Sequence, residues 1–330
     1  MAVFKRGLNV VNQPMLSICS DSNDPFFNLA VDEYLLHNRK EDFIILSIND
    51  PCVVVGKHQV VHREVNVRFI VEKGIPVIRR ISGGGTVFHD GGNLNFTFIK
   101  QSKSGHQVDF RLYTQPVIDF LSSFGVNAVF GGKNDLTVDG LKVSGNAEHV
   151  FRERVLHHGT LLFDVSLDNL RQALRIKSDN YSTRAVQSNR TSVTNLKGRL
   201  ENISAIDVFM RSLLDYLVNK MPDNCISGLK KDELEAVSLL AETKYKTWEW
   251  NYGYGPPYTF SNWFVLNERT HRFRLFVKDG IIWECDIEGS DEMPATGKKL
   301  IGCRHMYTDL HQKFRDENIS ITDDELFKFF

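Results

Sequence analysis

Asp139-Gly140 stands between the short alternating segments LTV and LKV, and a two-residue Asp-Gly connection of this kind closes a β-hairpin. A hairpin forces its strands to be antiparallel, and two further β-type runs, 146–152 and 155–164, follow it directly. Upstream, Asp24-Pro25 supplies an N-cap acid and a first-turn proline. Phe27, Ala30, Val31, Tyr34 and Leu35 then recur at helical spacing. FIILSI (43–48) and CVVVG (52–56), split by Asn49-Asp50-Pro51, predict two strands and a turn, and Val77 to Ile81 a further short strand. LNFTFI (94–99) alternates, with Leu94, Phe96 and Phe98 on one face and Asn95 and Thr97 on the other. A helix is predicted over 112–124, from the spacing of Val117, Phe120, Leu121 and Phe124. Hairpins mixed with helices exclude the strict β-α-β alternation of a doubly wound sheet. The fold class expected is α+β, a mixed, largely antiparallel sheet with flanking helices.

Residues 166–240 are mostly helical in pattern, interrupted by the polar stretch SDNYSTRAVQSNRTSVTN (178–195), expected as a mobile surface loop. Near Tyr245 the composition shifts. TWEWNYGYGPPY (247–258) suits a linker or the entry to a second unit, and HRFRLFVKDGIIWECDI (271–287) a hairpin turning at Asp279-Gly280. Two domains are therefore expected, 1–245 and a small α+β accessory domain, 246–330. A net charge of -1 over 330 residues argues against a general nucleic-acid binder. No apolar run approaches the roughly 20 residues needed to cross a bilayer. The N-terminus lacks a secretory core, so an intracellular protein is expected. Five scattered cysteines without a CxxC pair predict neither a disulfide framework nor a zinc site.

The candidate chemistry begins at RRISGGGTVFHDGGN (79–93). Each glycine in regular structure costs about 0.5–1 kcal/mol relative to alanine, so three in a row need a reason. Backbone without Cβ atoms lets a ligand lie against N–H groups, and an arginine fork matches phosphate or carboxylate. Neighbouring strand residues point opposite ways, so only one of Arg79 and Arg80 can face a ligand. The alternative is a plain turn beside solvated arginines. Ser82, Thr86, His89 and Asn93 are the polar candidates that accompany the loop. No GxxxxGK[ST] or strand-GxGxxG motif is present.

Lys142, in DGLKVSGNA, is either a solvated edge-strand lysine or a group bordering a low-bulk strand that a ligand can approach. His157 and His158 face opposite sides of one strand and cannot share a metal. His89-Asp90 lacks a serine elbow for a triad. Cys52, at the start of an apolar strand, predicts an inert buried thiol.

Taken in order, RRISGGGTVFHDGGNLNFTF, GGKNDL, LKVSGNA and HHGTLL resemble the lipoate–protein ligase family. That family is similar in fold to biotin protein ligases and class II synthetase catalytic domains. The likeness runs from DSNDPFFNLAVDEYLL through NDPCVVVGKHQ and SNRTSVTNL to TWEWNYG. It departs after Gln59, where Val60-Val61-His62 replaces a frequent asparagine. The resemblance implies ATP and Mg²⁺ as cofactors, and lipoate as the acid activated to an acyl-adenylate and passed to a protein lysine. Arg80 is implied to bind phosphate, with Ser82, Gly83 and Gly84 in the same loop. Gly85, Thr86, Val87 and Phe88, with His89 beside them, are implied to line the nucleotide and acyl site. Lys142 is implied as the catalytic group touching carbonyl and phosphate. Asn134 and Asp135 are placed near the phosphates, Asp135 also as a Mg²⁺ ligand. Ser188 and Arg190 belong to a loop implied to close over the adenylate.

The implied acceptors are apo lipoyl-domain proteins, E2 subunits of 2-oxoacid dehydrogenases or the glycine cleavage H protein. Lipoate or octanoate is the small acid, with no nucleic acid and no membrane involved. A bacterial cytoplasm is expected, the mitochondrial matrix being the alternative. The competing activity is a lipoyl or octanoyl transferase using a preformed activated donor. His89 and His158 are the candidates for a base at the acceptor amine.

Overall fold

The computed structural model describes residues 15–102, 108–132, 134–175, 179–189, 191–221, 223–291 and 293–330. The chain opens with β1 (Met15–Cys19), α1 (Pro25–Asn38) and β2 (Asp42–Ile48). Asp24 caps α1 by accepting from the Phe26 N–H at 2.8 Å, as the Asp-Pro pair predicted. There follow β3 (Cys52–Val55), the short helices α2 (Val61–Glu64) and α3 (Val67–Lys73), then β4 (Val77–Arg79), β5 (Val87–His89) and β6 (Asn93–Gln101). Next come α4 (Phe110–Ser122), β7 (Ala128–Gly131), β8 (Asp135–Val138), β9 (Leu141–Phe151) and β10 (Arg154–Leu162). Then α5 (Leu167–Ala173), β11 (Tyr181–Ser182), α6 (Ile206–Lys220), β12 (Asn224–Ile226) and α7 (Lys231–Leu240) complete this part. The C-terminal part holds β13 (Tyr258–Leu266), β14 (Arg269–Lys278) and β15 (Ile281–Glu288), followed by α8 (Met293–Leu300), α9 (Tyr307–Asp316) and α10 (Asp323–Leu326).

Eight strands form one sheet in the order β12-β1-β2-β6-β10-β9-β8-β7. Only β12-β1-β2 is parallel; every later pairing is antiparallel, which gives the mixed, largely antiparallel α+β sheet expected. Asp139 and Gly140 both take positive φ, 52° and 76°, the conformation a two-residue hairpin turn demands. Leu94, Phe96 and Phe98 are buried with the apolar faces of α4 and α6, while Asn95 and Thr97 turn to the other face.

A second, three-stranded sheet runs β4-β3-β5, so FIILSI and CVVVG, adjacent in sequence, lie in different sheets. Asn49-Asp50-Pro51 carries the chain between layers. The third sheet, β11-β13-β14-β15, takes its first strand from the polar stretch 178–195. That stretch is tied down rather than free: Tyr181 and Ser182 pair with Phe260 and Thr259, and residues 192–194 hydrogen-bond to Lys142 on β9. Its own side chains predict exposure because the partners that hold it lie far away in sequence.

TWEWNYGYGPPY is likewise no loose linker. Its turns are wound as π-helix (Glu249–Gly253), and Asn251 is buried. One apolar cluster extends from Val53 and Val55 to Phe260 and Phe329, across residue 245.

A buried polar chain sits in that cluster. His62 Nδ1 lies 3.2 Å from the Tyr258 hydroxyl, which lies 2.5 Å from His305 Nδ1. His305 Nε2 donates to the Phe329 carbonyl at 2.6 Å, so both its nitrogens are committed in the neutral ring. Burial pushes His305 down to about 4 and His62 well below its usual value. A histidine whose folded pKa is depressed contributes stability that is complete above its unfolded pKa near 6.5. That stability is lost as pH falls from there towards 4. From His305 alone, at about 1.4 kcal/mol per unit, acidification should remove roughly 3 kcal/mol. Urea midpoints between about pH 7 and pH 4 check this, and His305→Gln should flatten the dependence.

Candidate functional site

The glycine loop joins β4 to β5, the two strands flanking β3, so it crosses the end of β3 where Gly56 lies. A Cβ on Gly56 would stand 2.2 Å from the Gly84 carbonyl oxygen, and Gly84 itself takes φ +88°. Both positions therefore need glycine, one for space and one for backbone conformation. The loop forms one wall of a cavity of about 510 Å³.

Alternation along β4 separates the two arginines. Arg79 is fully buried away from the cavity, its guanidinium donating to the carbonyls of Gly56, Lys57, Gln59, Trp250 and Asn251. Arg80 lines the cavity and braces the loop. It donates through Nε to Ser82 Oγ at 3.0 Å, and through Nη2 to the Gly83 and Gly85 carbonyls at 2.6 and 2.7 Å. Burial lowers Arg80 to about 10, still cationic at neutral pH.

Lys142, on β9, lines the same cavity. A register shift between β8 and β9 puts Leu136 opposite Ser144 and Thr137 opposite Lys142, an irregularity that re-aims side chains locally. Lys142 is no edge residue, since its backbone N–H donates to the Ser192 carbonyl at 2.9 Å and its carbonyl accepts from Thr194. The ammonium pairs with Asp135 Oδ1 at 2.8 Å, both side chains about one-fifth exposed. A Cβ on Gly145 would come within 3.0 Å of Lys142 Nζ, so the small residue gives the lysine room to cross the strand.

Ser188 lines the cavity as well. Its Oγ accepts from the Thr86 N–H at 2.8 Å and from Gln59 Nε2 at 3.1 Å, and donates to Glu64 Oε2 at 2.5 Å. Gln59 Oε1 in turn accepts from the Gly56 N–H and the Thr86 hydroxyl. A side chain at Gly85 would meet Ser188 at 3.1–3.3 Å. Gly85→Val should therefore displace the 186–189 segment from the glycine loop and weaken binding of an anionic ligand to that loop about tenfold, the loss of one or two good hydrogen bonds. Its melting temperature should stay near wild type. A binding titration beside a thermal melt separates this from general destabilisation.

His158 lies between two partners, Nε2 2.6 Å from Ser82 Oγ and Nδ1 3.2 Å from Asp32 Oδ2. His89 Nδ1 faces Asn49 Nδ2 at 3.0 Å, and burial pushes this imidazole down to about 3.

Of the residues singled out in the sequence, Arg80, Gly84, Gly85, Thr86, Val87 and His89 line the cavity from one side. Asn134, Asp135 and Lys142 do so from another, with Ser188 beside them. Phe88 does not: β5 alternates, so Val87 and His89 face the cavity and Phe88 packs in the apolar core, a correction imposed by strand periodicity. Ser82 and Gly83 hold the loop from behind, outside the cavity lining, and Arg190 lies outside the described residues. Sequence reasoning missed Asp32, Gln59, Glu64 and Asn146. Asp32 is a carboxylate within the apolar run AVDEYLL, and Gln59 and Asn146 lie in the segments NDPCVVVGKHQ and LKVSGNA, signals that could have found them.

The fold is that of lipoate-protein ligases of known structure. At a TM-score of 0.62 and 24% identity, 74% of the chain superposes on 99% of a lipoate-protein ligase A crystallised with ATP. A Thermoplasma acidophilum putative lipoate protein ligase with bound lipoic acid matches equally well, 73% of this chain covering all of that one at 24% identity. The family model for the lipoyl protein ligase A/B catalytic domain matches residues 24–218. The chain is 35% identical to lipoate-protein ligase LplJ of Bacillus subtilis over 81% of its length and 82% of the relative's. It is 33% identical to lipoate–protein ligase 1 of Staphylococcus aureus, over 90% and 92% respectively. The chain belongs to the lipoate–protein ligase family.

Proposed function

We propose that this ligase joins lipoate to ATP as lipoyl-AMP and passes the lipoyl group to a lysine of lipoyl domains, in E2 subunits or in H protein. The observation that carries the reading is the meeting of Lys142 with the arginine-braced glycine loop across one cavity. Adenylation brings a carboxylate onto a phosphate, so two anions must be held together. Arg80 and the Lys142 ammonium offset that repulsion, and charge stabilisation of this kind is the largest single term in most enzymes. Lys142 gives up Asp135 to reach the reacting oxygens. The Ser188 latch excludes water from the mixed anhydride. When the acceptor amine attacks the acyl carbon, the C–N bond forms, the C–O bond to phosphate breaks and AMP departs. His158, backed by Asp32, is better placed than the low-pKa His89 to accept the amine's proton.

Mg²⁺ fits the residues present. It needs one or two carboxylates besides phosphate oxygens and water, and Asp135 supplies one at the cavity wall. When bound, it would neutralise phosphate charge. Residues from about 246 serve as an accessory domain over the Arg79 side. Among the described residues no helix is long and apolar enough to cross a membrane. We place the reaction in a bacterial cytoplasm, in keeping with the bacterial relatives.

Incubation with ATP, free lipoate and an apo lipoyl domain should yield AMP and the modified domain together. Were neither to appear, while added lipoyl-AMP restored modification, the chain would be a transferase of preformed acyl donors.

A further inference from the structure

The reaction scheme leaves unused a titratable pair buried behind the site. Glu148 on β9 and His157 on β10 stand opposite each other in register, Oε1 2.9 Å from Nδ1, with side chains 2% and 0% exposed. The imidazole stacks on Tyr113 at 5.0 Å and on Phe96 at 6.1 Å. Its Nε2 lies 3.2 Å from Asn146 Oδ1. The orientation of the Asn146 amide is set independently, because its Nδ2 donates to the Asn134 carbonyl at 2.9 Å and to Ser144 Oγ at 3.2 Å. Oδ1 can only accept, so His157 Nε2 carries a hydrogen. Nδ1 faces a carboxyl oxygen, so this arrangement holds one further proton between Nδ1 and Oε1.

Asn146 connects the pair to the cavity. Besides the Nδ2 bond, its backbone N–H donates to the Asn134 carbonyl at 3.0 Å, and Asn134 Nδ2 donates back to the Asn146 carbonyl. This reciprocal clasp sets the start of β8 against β9, and the next residue, Asp135, holds Lys142.

We propose that Glu148 and His157 are positioning residues: their shared proton keeps His157 Nε2–H on Asn146, and Asn146 thereby holds Asn134, Asp135 and Lys142 in working register. The inference rests on the reading of Lys142 as the adenylating group. Loss of the proton from Glu148 to solvent would draw the remaining imidazole hydrogen to Nδ1, facing the carboxylate. Nε2 would then present a lone pair to Oδ1, and the amide would have to turn away from Asn134 and Ser144. Burial pushes Glu148 up to about 7 against an opposing backbone hydrogen bond from Asp109, and burial pushes His157 down to about 3, both favouring the neutral pair. The other titratable groups around the pair are Tyr113 and Asp109 of the α4 segment, and His158 on the opposite face of β10.

Lipoate-dependent ATP–pyrophosphate exchange isolates the first half reaction, in which no acceptor lysine titrates. Wild type should lose kcat on the alkaline side of about pH 7, the range set by Glu148. In Glu148→Gln the amide N–H donates to Nδ1 and locks hydrogen on Nε2, so the alkaline fall near pH 7 should vanish. His157→Phe keeps the aromatic stack without the donor. It should lower kcat about tenfold with the KM for lipoate within about twofold, the loss of one buried hydrogen bond acting through position. An identical alkaline limb in wild type and Glu148→Gln overturns the proposal, as does wild-type kcat in His157→Phe. If His157→Phe does not fold, the near-isosteric Glu148→Gln decides alone. A wild-type protein with no exchange at any pH would instead overturn the ligase reading itself, and this inference with it.

Discussion

Lys142→Ala should lower lipoate-dependent ATP–pyrophosphate exchange by about 10²–10³-fold, the loss found when one preorganised charge-stabilising group is removed from an enzyme site. The expectation follows from placement. Lys142 lines the same cavity as Arg80, and the strand carrying it is fixed on both sides, by Thr137 on β8 and by residues 192–194. The fold should survive. The ion pair with Asp135 is one local contact at the cavity wall, where water can reach the carboxylate that the substitution leaves behind. A melting temperature near wild type with collapsed exchange is thus the expected pairing. Lys142→Arg should recover little, since a bulkier planar fork does not reproduce a compact ammonium. Near-normal exchange by a folded Lys142→Ala protein would remove the lysine from the chemistry.

Arg79→Leu should cost at least about 3 kcal/mol of stability, read as a lowered urea midpoint. Its guanidinium reaches five main-chain carbonyls on two segments about 190 residues apart in sequence, Gly56–Gln59 and Trp250–Asn251. A leucine fills part of the volume and removes the guanidinium donors from those buried oxygens, of which Gly56 keeps the Gln59 N–H, each deprived acceptor costing about 1–3 kcal/mol unless water enters. The main-chain N–H of Arg79 also donates to Asn251 Oδ1 at 2.8 Å, and the Trp250 indole donates to the Arg79 carbonyl at 2.7 Å. The segment with the composition of a linker is therefore a structural clamp beneath the glycine loop. An unchanged midpoint for Arg79→Leu would show that these bonds exchange with water at no net cost.

The two adjacent arginines show where sequence reasoning stops. Alternation predicts that only one of them can face a ligand; Arg80 lines the cavity and Arg79 is buried away from it, and the work of the second, binding the 250 segment, has no local signature. Phe88 marks the same boundary from the other side. Motif likeness put it with the ligand, while the pleat of β5 turns it into the core.

From the sequence alone come the hairpin at Asp139-Gly140, the capped first helix, the alternating face of β6, the glycine loop with its arginine, and the lysine before a low-bulk strand. All rest on interactions within a few residues, where backbone geometry and side-chain period act directly. Only the tertiary structure decides that Ser188 latches onto Gly85 and Thr86, that Asp32 backs His158, and that Glu148 and His157 brace Asn146. Those contacts join residues whose own neighbours say nothing of each other. Their energies come from burial and hydrogen bonding, which exist only once the sheets have closed around them.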